Sequence, residues 1–204
     1  MRRLMILAPQ CQSISRLACL LLLASGPLLV GCDRSPDEQE LQALFDDGEN
    51  LCREQKWEKA RAVLKEYLLY DPDHAGAHFY LGRTYFYFRP AIAEGELQTA
   101  LELFVEGGRI STIERFGHDY FEYICNLESA KICLLQVDLG LELGAPPAAT
   151  EPLLERAGRY AREAGAVMPG TKDVRRLQEA ISAYRLLRSA FPKRRNPLAP
   201  PAKA

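Results

Sequence analysis

The chain has 204 residues, 48% of them apolar, which is enough to bury one sizeable core and too many for a disordered polymer. Its 26 Lys and Arg nearly balance 27 Asp and Glu, and the resulting formal charge of −1 argues against a dedicated nucleic-acid binder. Six cysteines in this length are too few for a disulfide-built scaffold.

The first thirty residues differ from the rest. Arg2, Arg3 and Arg16 supply positive charge, and no acid appears before Asp33. Leu17 to Val30 is a run of 14 apolar or small residues, short of the roughly 20 that a spanning helix needs, and Gly26-Pro27 interrupts it. That length fits the hydrophobic region of a signal peptide. The run closes on Leu29-Val30-Gly31-Cys32 and passes at once into polar DRSPDEQE. This ending resembles the bacterial lipobox. The resemblance implies that residues 1–31 are removed as a signal peptide and that Cys32 becomes a diacylated, N-acylated terminus, with residues 32–40 as a short tether. In enteric-type bacteria an aspartate beside that cysteine resembles an inner-membrane retention signal, so Asp33 implies a periplasm-facing, inner-membrane anchor. An ordinary secretory signal with an incidental cysteine is the alternative.

Beyond Cys32 the charge is uneven. Residues 33–110 carry 16 acids and 9 bases, residues 111–171 carry 9 and 5, and residues 172–204 carry 2 and 9. A basic end on an acidic body suits anionic lipid, an acidic partner or self-association, but Lys and Arg also gather on last helices and solvated tails. Residues 191–204, with four prolines and no periodicity, read as a disordered basic tail.

Between tether and tail the chain reads as amphipathic helices. Ser35, with Pro36 after it and Glu38 three places on, predicts a capped start. Leu41, Leu44, Phe45, Gly48, Leu51 and Cys52 then recur at helical spacing. A break at Glu54-Gln55-Lys56 precedes a second helix bearing Trp57, Ala60, Val63, Leu64, Tyr67 and Leu68, stopped at Asp71-Pro72. Asp73 is the expected cap of a third helix ending near Arg89-Pro90, and a fourth is expected over Leu97 to Val105 after a short insert. A long fifth helix spans about 116–140. Thr150 is read as the cap of a sixth through Ala166, and Thr171 as the cap of a seventh to about Ala190. No segment alternates as a half-buried strand would, so the predicted class is all-α.

The spacing over residues 41–88 resembles the tetratricopeptide repeat, a 34-residue helix-turn-helix unit. With Leu41 as position 1, Gly48 falls at 8, Leu51 at 11, Trp57 at 17, Ala60 at 20, Leu64 at 24 and Pro72 at 32. Gly48 and Ala60 are the small sites where paired helices approach most closely, while Asp47 departs from the apolar residue usual at position 7. The next unit starts at Ala75, placing Leu81 at 7, Gly82 at 8 and Tyr85 at 11; Ala100 and Phe104 match 20 and 24 after six extra residues within Arg89 to Glu96. A third pair over 116–169 is looser. Residues 171–190 resemble the solvating helix that closes such arrays. The implied architecture is an α-solenoid of about seven helices over residues 41–190, three pairs and a closing helix. An unrelated helical bundle is the alternative.

Candidate chemistry is sparse. His74 and His78 lie four apart, a spacing that suits one metal, but no third ligand completes a site. Asp71-Pro-Asp73 echoes a calcium loop whose twelfth place is Gly82 rather than the required Glu. No phosphate loop, dinucleotide fingerprint or nucleophile elbow is present, so no catalytic residue, metal or cofactor is assigned. Cys125 and Cys133 lie about 12 Å apart along one helix at 1.5 Å per residue, too far for a disulfide. Cys52 is open to pairing with either in an oxidising compartment, or all three serve as small packing residues.

Two function classes follow. In tetratricopeptide arrays the first helices line a groove through positions 2, 5, 9 and 12. Carried over, these are Gln42, Phe45, Glu49 and Cys52, then Gly76, Phe79, Arg83 and Phe86. Phe45, Glu49, Phe79, Arg83 and Phe86 are the expected partner-binding residues. Phe79, Arg83 and Phe86 share one face, an aromatic and guanidinium mix suited to a peptide or carboxylate. The alternative for that stripe is burial against the fifth helix. The expectation is a non-enzymatic, lipid-anchored envelope scaffold that docks a protein or peptide partner and no nucleic acid. The other class is an envelope enzyme or small-ligand carrier using the same helices as a pocket.

Overall fold

The structure is a computed structural model and describes residues 35–110 and 117–190. The chain divides into two units, residues 1–35 and 36–204, and of the first only Ser35 is described. The signal peptide, Cys32 and the tail expected over 191–204 therefore lie outside the described residues. Among the described residues there are seven α-helices and no strand: α1 Glu38–Arg53, α2 Trp57–Tyr70, α3 Ala75–Tyr85, α4 Pro90–Val105, α5 His118–Glu142, α6 Pro147–Val167 and α7 Lys172–Ala190. The fold is all-α and solenoid-like. α1 packs on α2, α3 on α4 and α5 on α6; successive pairs stack through α2 on α3 and α4 on α5, and α7 lies on α6 and α5.

Several boundaries correct the expectations. The N-cap of α1 is Asp37 rather than Ser35. Asp37 Oδ1 accepts the Glu40 backbone N–H at 2.9 Å, and Glu40 Oε2 accepts the Asp37 N–H at 3.0 Å. This capping box repeats the Ser35–Glu38 spacing two residues later, with a carboxylate facing the helix dipole. α3 is capped by His74 rather than Asp73, its Nδ1 accepting the Ala77 N–H at 3.0 Å. Thr150 lies inside α6, donating its hydroxyl to the Pro147 carbonyl. That helix starts at Pro147, whose missing N–H costs nothing at a first-turn position.

The largest correction concerns α4. Proline ends helices from within but suits their first turn, and Pro90 is the first residue of this helix. The stretch expected as an insert is therefore helical. Gly82 makes the consequence clear: a Cβ there would lie 3.2 Å from the Leu97 Cγ and 3.2 Å from the Ala93 carbonyl oxygen. In the first pair a Cβ on Gly48 would meet the Leu64 side chain at 2.8 Å. Ala93 and Leu97, both buried, thus occupy the places of Ala60 and Leu64. Ala100 and Phe104 do not, and the second pair closes without six extra residues.

Two apolar cores result. One joins α1–α4 to the first half of α5 through Phe45, Leu64, Phe79, Leu97 and Phe121, and the other joins α5, α6 and α7 through Leu127, Val137, Leu154, Ala157 and Ile181. α5 belongs to both. No helix of the described residues is long and apolar enough to cross a membrane.

Candidate functional site

Helical spacing directs the residues expected in the groove, but packing between helices decides which reach the surface. Phe45 is 1% exposed. Its ring lies 5.4 Å from Tyr67, 4.6 Å from His74 and 6.1 Å from Tyr80, so α2 and α3 enclose it. Phe79 is 2% exposed, with its ring 5.3 Å from Tyr80 and 5.7 Å from Phe121 on α5. Glu49 is also buried, accepting a hydrogen bond from the Tyr80 hydroxyl at 2.8 Å and pairing with Arg53. These three are interior residues rather than groove surface, because α3 sits against both α1 and α2, and α5 covers the outer side of Phe79. The burial alternative holds for Phe79. Arg83, one turn further along α3, and Phe86, just past its end, stay half-exposed.

Arg83 and Phe86 line a cleft of about 500 Å³ that opens among the first helices of the three pairs. α1 contributes Cys52 and Arg53, the α1–α2 turn Gln55, α2 its first residue Trp57, α3 and the turn after it Arg83, Phe86 and Tyr87, and α5 Glu128 and Lys131. Gln55 holds φ of 59°, a left-handed conformation that turns the chain sharply from α1 into α2 and sets Trp57 at the rim. Phe86 and Tyr87 rings meet at 4.9 Å. Trp57, Arg53, Tyr87 and Lys131 were not expected here. Repeat counting placed Trp57 at position 17, outside the groove positions, and the other three have no motif.

The cleft is cationic in a chain segment that is acidic. Lys131 Nζ pairs with Glu128 at 2.8 Å, and Arg53 is held by Glu49 beneath the floor. Arg83 stands over the Phe79 ring, 5.9 Å from its centroid, and makes no hydrogen bond or ion pair among the described residues. Burial pushes the Cys52 thiol up to about 11, against the opposing pull of Arg83 and with help from Glu49. Burial also raises the Tyr80 phenol, as does its bond to Glu49. Both groups therefore stay protonated, and the cleft offers donors and aromatic faces rather than a nucleophile.

Elsewhere, the buried carboxylate Glu94 and the two histidines have partners within the protein. Glu94, 9% exposed on α4, accepts from Arg156 Nε at 2.9 Å and Nη2 at 3.2 Å, from Gln136 at 3.0 Å and from Cys133 Sγ at 3.4 Å. Four donors leave this carboxylate little capacity to act on a ligand, and the set ties α4 to α5 and α6. His74 is a buried cap, and His78 bonds Glu96 at 2.7 Å and the Pro72 carbonyl at 2.9 Å, so the two rings point to different partners. Cys52, Cys125 and Cys133 are buried free thiols. No protein-family model, curated protein or solved structure matches the chain.

Proposed function

We propose that the protein is a lipid-anchored component of the bacterial cell envelope whose tetratricopeptide-like array docks a protein partner in the cleft among α1, α3 and α5. The observation that carries this reading is the cleft itself. It brings the exposed Tyr87 ring, half-exposed Trp57 and Phe86, and three cations together among the first helices of the pairs. Aromatic and arginine side chains together are what protein interfaces concentrate at their anchoring points. The anchor rests on the Leu29-Val30-Gly31-Cys32 signature, and Asp33 favours the inner membrane.

The test has two arms. Cys32→Ser in the full chain should abolish acyl labelling and leave an unprocessed precursor, whereas normal processing with retained label overturns the anchor. Crosslinking with mass spectrometry in native membranes should recover a polypeptide joined to the cleft. A small molecule retained by purified protein, with no polypeptide captured, points instead to a carrier or enzyme. Sucrose-gradient fractionation that finds the protein only in outer membrane overturns the inner-membrane placement.

A further inference from the structure

We propose that two copies of this chain pair about a two-fold axis through the turns after α3 and α5, with Arg89 of each copy facing Glu142 of the other. These two turns lie side by side. Glu94, near the start of α4, accepts hydrogen bonds from Cys133 and Gln136 in the second half of α5, so α4 begins where α5 ends. Both turns expose large apolar side chains, Phe88 and Ile92 on one and Leu139, Leu141 and Leu143 on the other. The corresponding turn between α1 and α2 is Glu54-Gln55-Lys56, with none. Folding does not call for Leu143 to be apolar. Gly144, at φ of 76°, ends α5, and the Ala145 N–H closes the helix on the Gly140 carbonyl at 2.8 Å, while the Leu143 side chain stays 87% exposed. Contiguous exposed apolar groups of this kind mark an interaction surface.

Charge selects the occupant. Residues 86–92 carry one base and no acid, and residues 138–151 carry three acids and no base. The acidic turn is repelled by an anionic lipid surface. A cationic aromatic turn beside an anionic aliphatic one is instead complementary to itself, which is what a two-fold interface requires. Arg89 is the N-cap of α4, where the helix dipole favours an anion, and Glu142 is the last residue of α5, where it favours a cation. Each charge therefore opposes its own helix. Set against each other across the axis, the two compensate twice per dimer. Arg89, Glu142 and the five apolar residues do not line the cleft, so this surface is distinct from the docking site proposed above.

The test uses the full chain in intact cells, expressed as two copies with different epitope tags and a photo-crosslinker in place of Leu143 in one of them. The expected product is an adduct of twice the chain mass that carries both tags. Arg89→Glu in both copies, or Glu142→Lys in both, sets like charges together at two places and should lower its yield about tenfold or more. Each substitution matches the dipole of its helix, so circular dichroism should show native helicity in both variants. One copy with Arg89→Glu and the other with Glu142→Lys restores opposite charges at both contacts, and the yield should return to near that of the native pair. An adduct with a different polypeptide, an adduct with lipid alone, no adduct, unchanged yield in the variants or no recovery in the mixed pair overturns the proposal. A ladder beyond the dimer marks a head-to-tail chain and overturns the two-fold axis. Because the probe and both substitutions lie outside the cleft, each of these results leaves partner docking at Tyr87 to be decided separately.

Discussion

His74 is 3% exposed, its ring lies against Phe45 and Tyr67, and its Nδ1 accepts the Ala77 N–H at the start of α3. A proton on Nδ1 would face that N–H, and burial first of all, with Arg109 and His78 adding to it against the pull of Asp71, lowers the ring's pKa to about 4. The unfolded chain takes up this proton near 6.5, so the neutral cap's contribution is complete above that pH and is lost as the pH falls from 6.5 through 4. The full loss is on the order of 3 kcal/mol. Burial opposes the charge on His78, but its bonds to Glu96 and the Pro72 carbonyl prevail and raise its pKa; it is charged in both states below 6.5 and adds no slope there. Urea midpoints at pH 7 and pH 4.5 should fall together less in His74→Asn, which can cap but not titrate, than in the native chain. Equal falls would rule out His74 as the source. The thiols make a second residue-scale prediction. Burial pushes Cys52 up to about 11 and Cys133 up to about 12, and it raises Cys125 as well. In the 33–204 fragment, whose cysteines are these three alone, they should react with a disulfide reagent at pH 8 only when denaturant is added.

Two helical glycines should respond to alanine with opposite sign. Gly48 faces buried Leu64, where a new Cβ would come within 2.9 Å of Cγ, so Gly48→Ala should lower stability by about 1–2 kcal/mol despite the gain in helix propensity. Gly95 on α4 has nothing within 4 Å of that position, and Gly95→Ala should raise stability by about 0.5–1 kcal/mol. Thermal melts followed by circular dichroism check both, and a shared sign would contradict the helix packing. This contrast also shows why α1 to α3 were legible in the sequence and α4 was not. Gly48, Ala60 and Leu64 sit on long helices with clear breaks at Gln55 and Pro72. Pro90 carries two opposite meanings, an end and a first turn, and only packing of Ala93 and Leu97 on Gly82 selects the second. Thr150 failed in the same way, because Pro147 starts α6 three residues earlier.

At the scale of the whole molecule, α5 is the element on which both cores depend, presenting Phe121 to one and Val137 to the other. Lys131 and Glu128 extend from it into the cleft, so the cleft exists only when the third pair is stacked on the first two. Position counting reached Arg83 and Phe86 because they lie toward the end of α3, beyond the covering rings. It misplaced Phe45, Glu49 and Phe79 because depth depends on where neighbouring helices land, which a single repeat does not encode. Tyr87 lay beyond the counted positions, in the turn that the structure leaves exposed. The central claim, an envelope array that docks a protein in this cleft, is tested most directly by site-specific photo-crosslinking in intact cells. A crosslinker is placed at Tyr87, on the cleft, and in a second strain at Leu69, which is 80% exposed and does not line it. The account predicts a discrete polypeptide adduct from Tyr87 that is absent from Leu69 and lost on Trp57→Ala. No polypeptide adduct from Tyr87, or the same adducts from both positions, would contradict it.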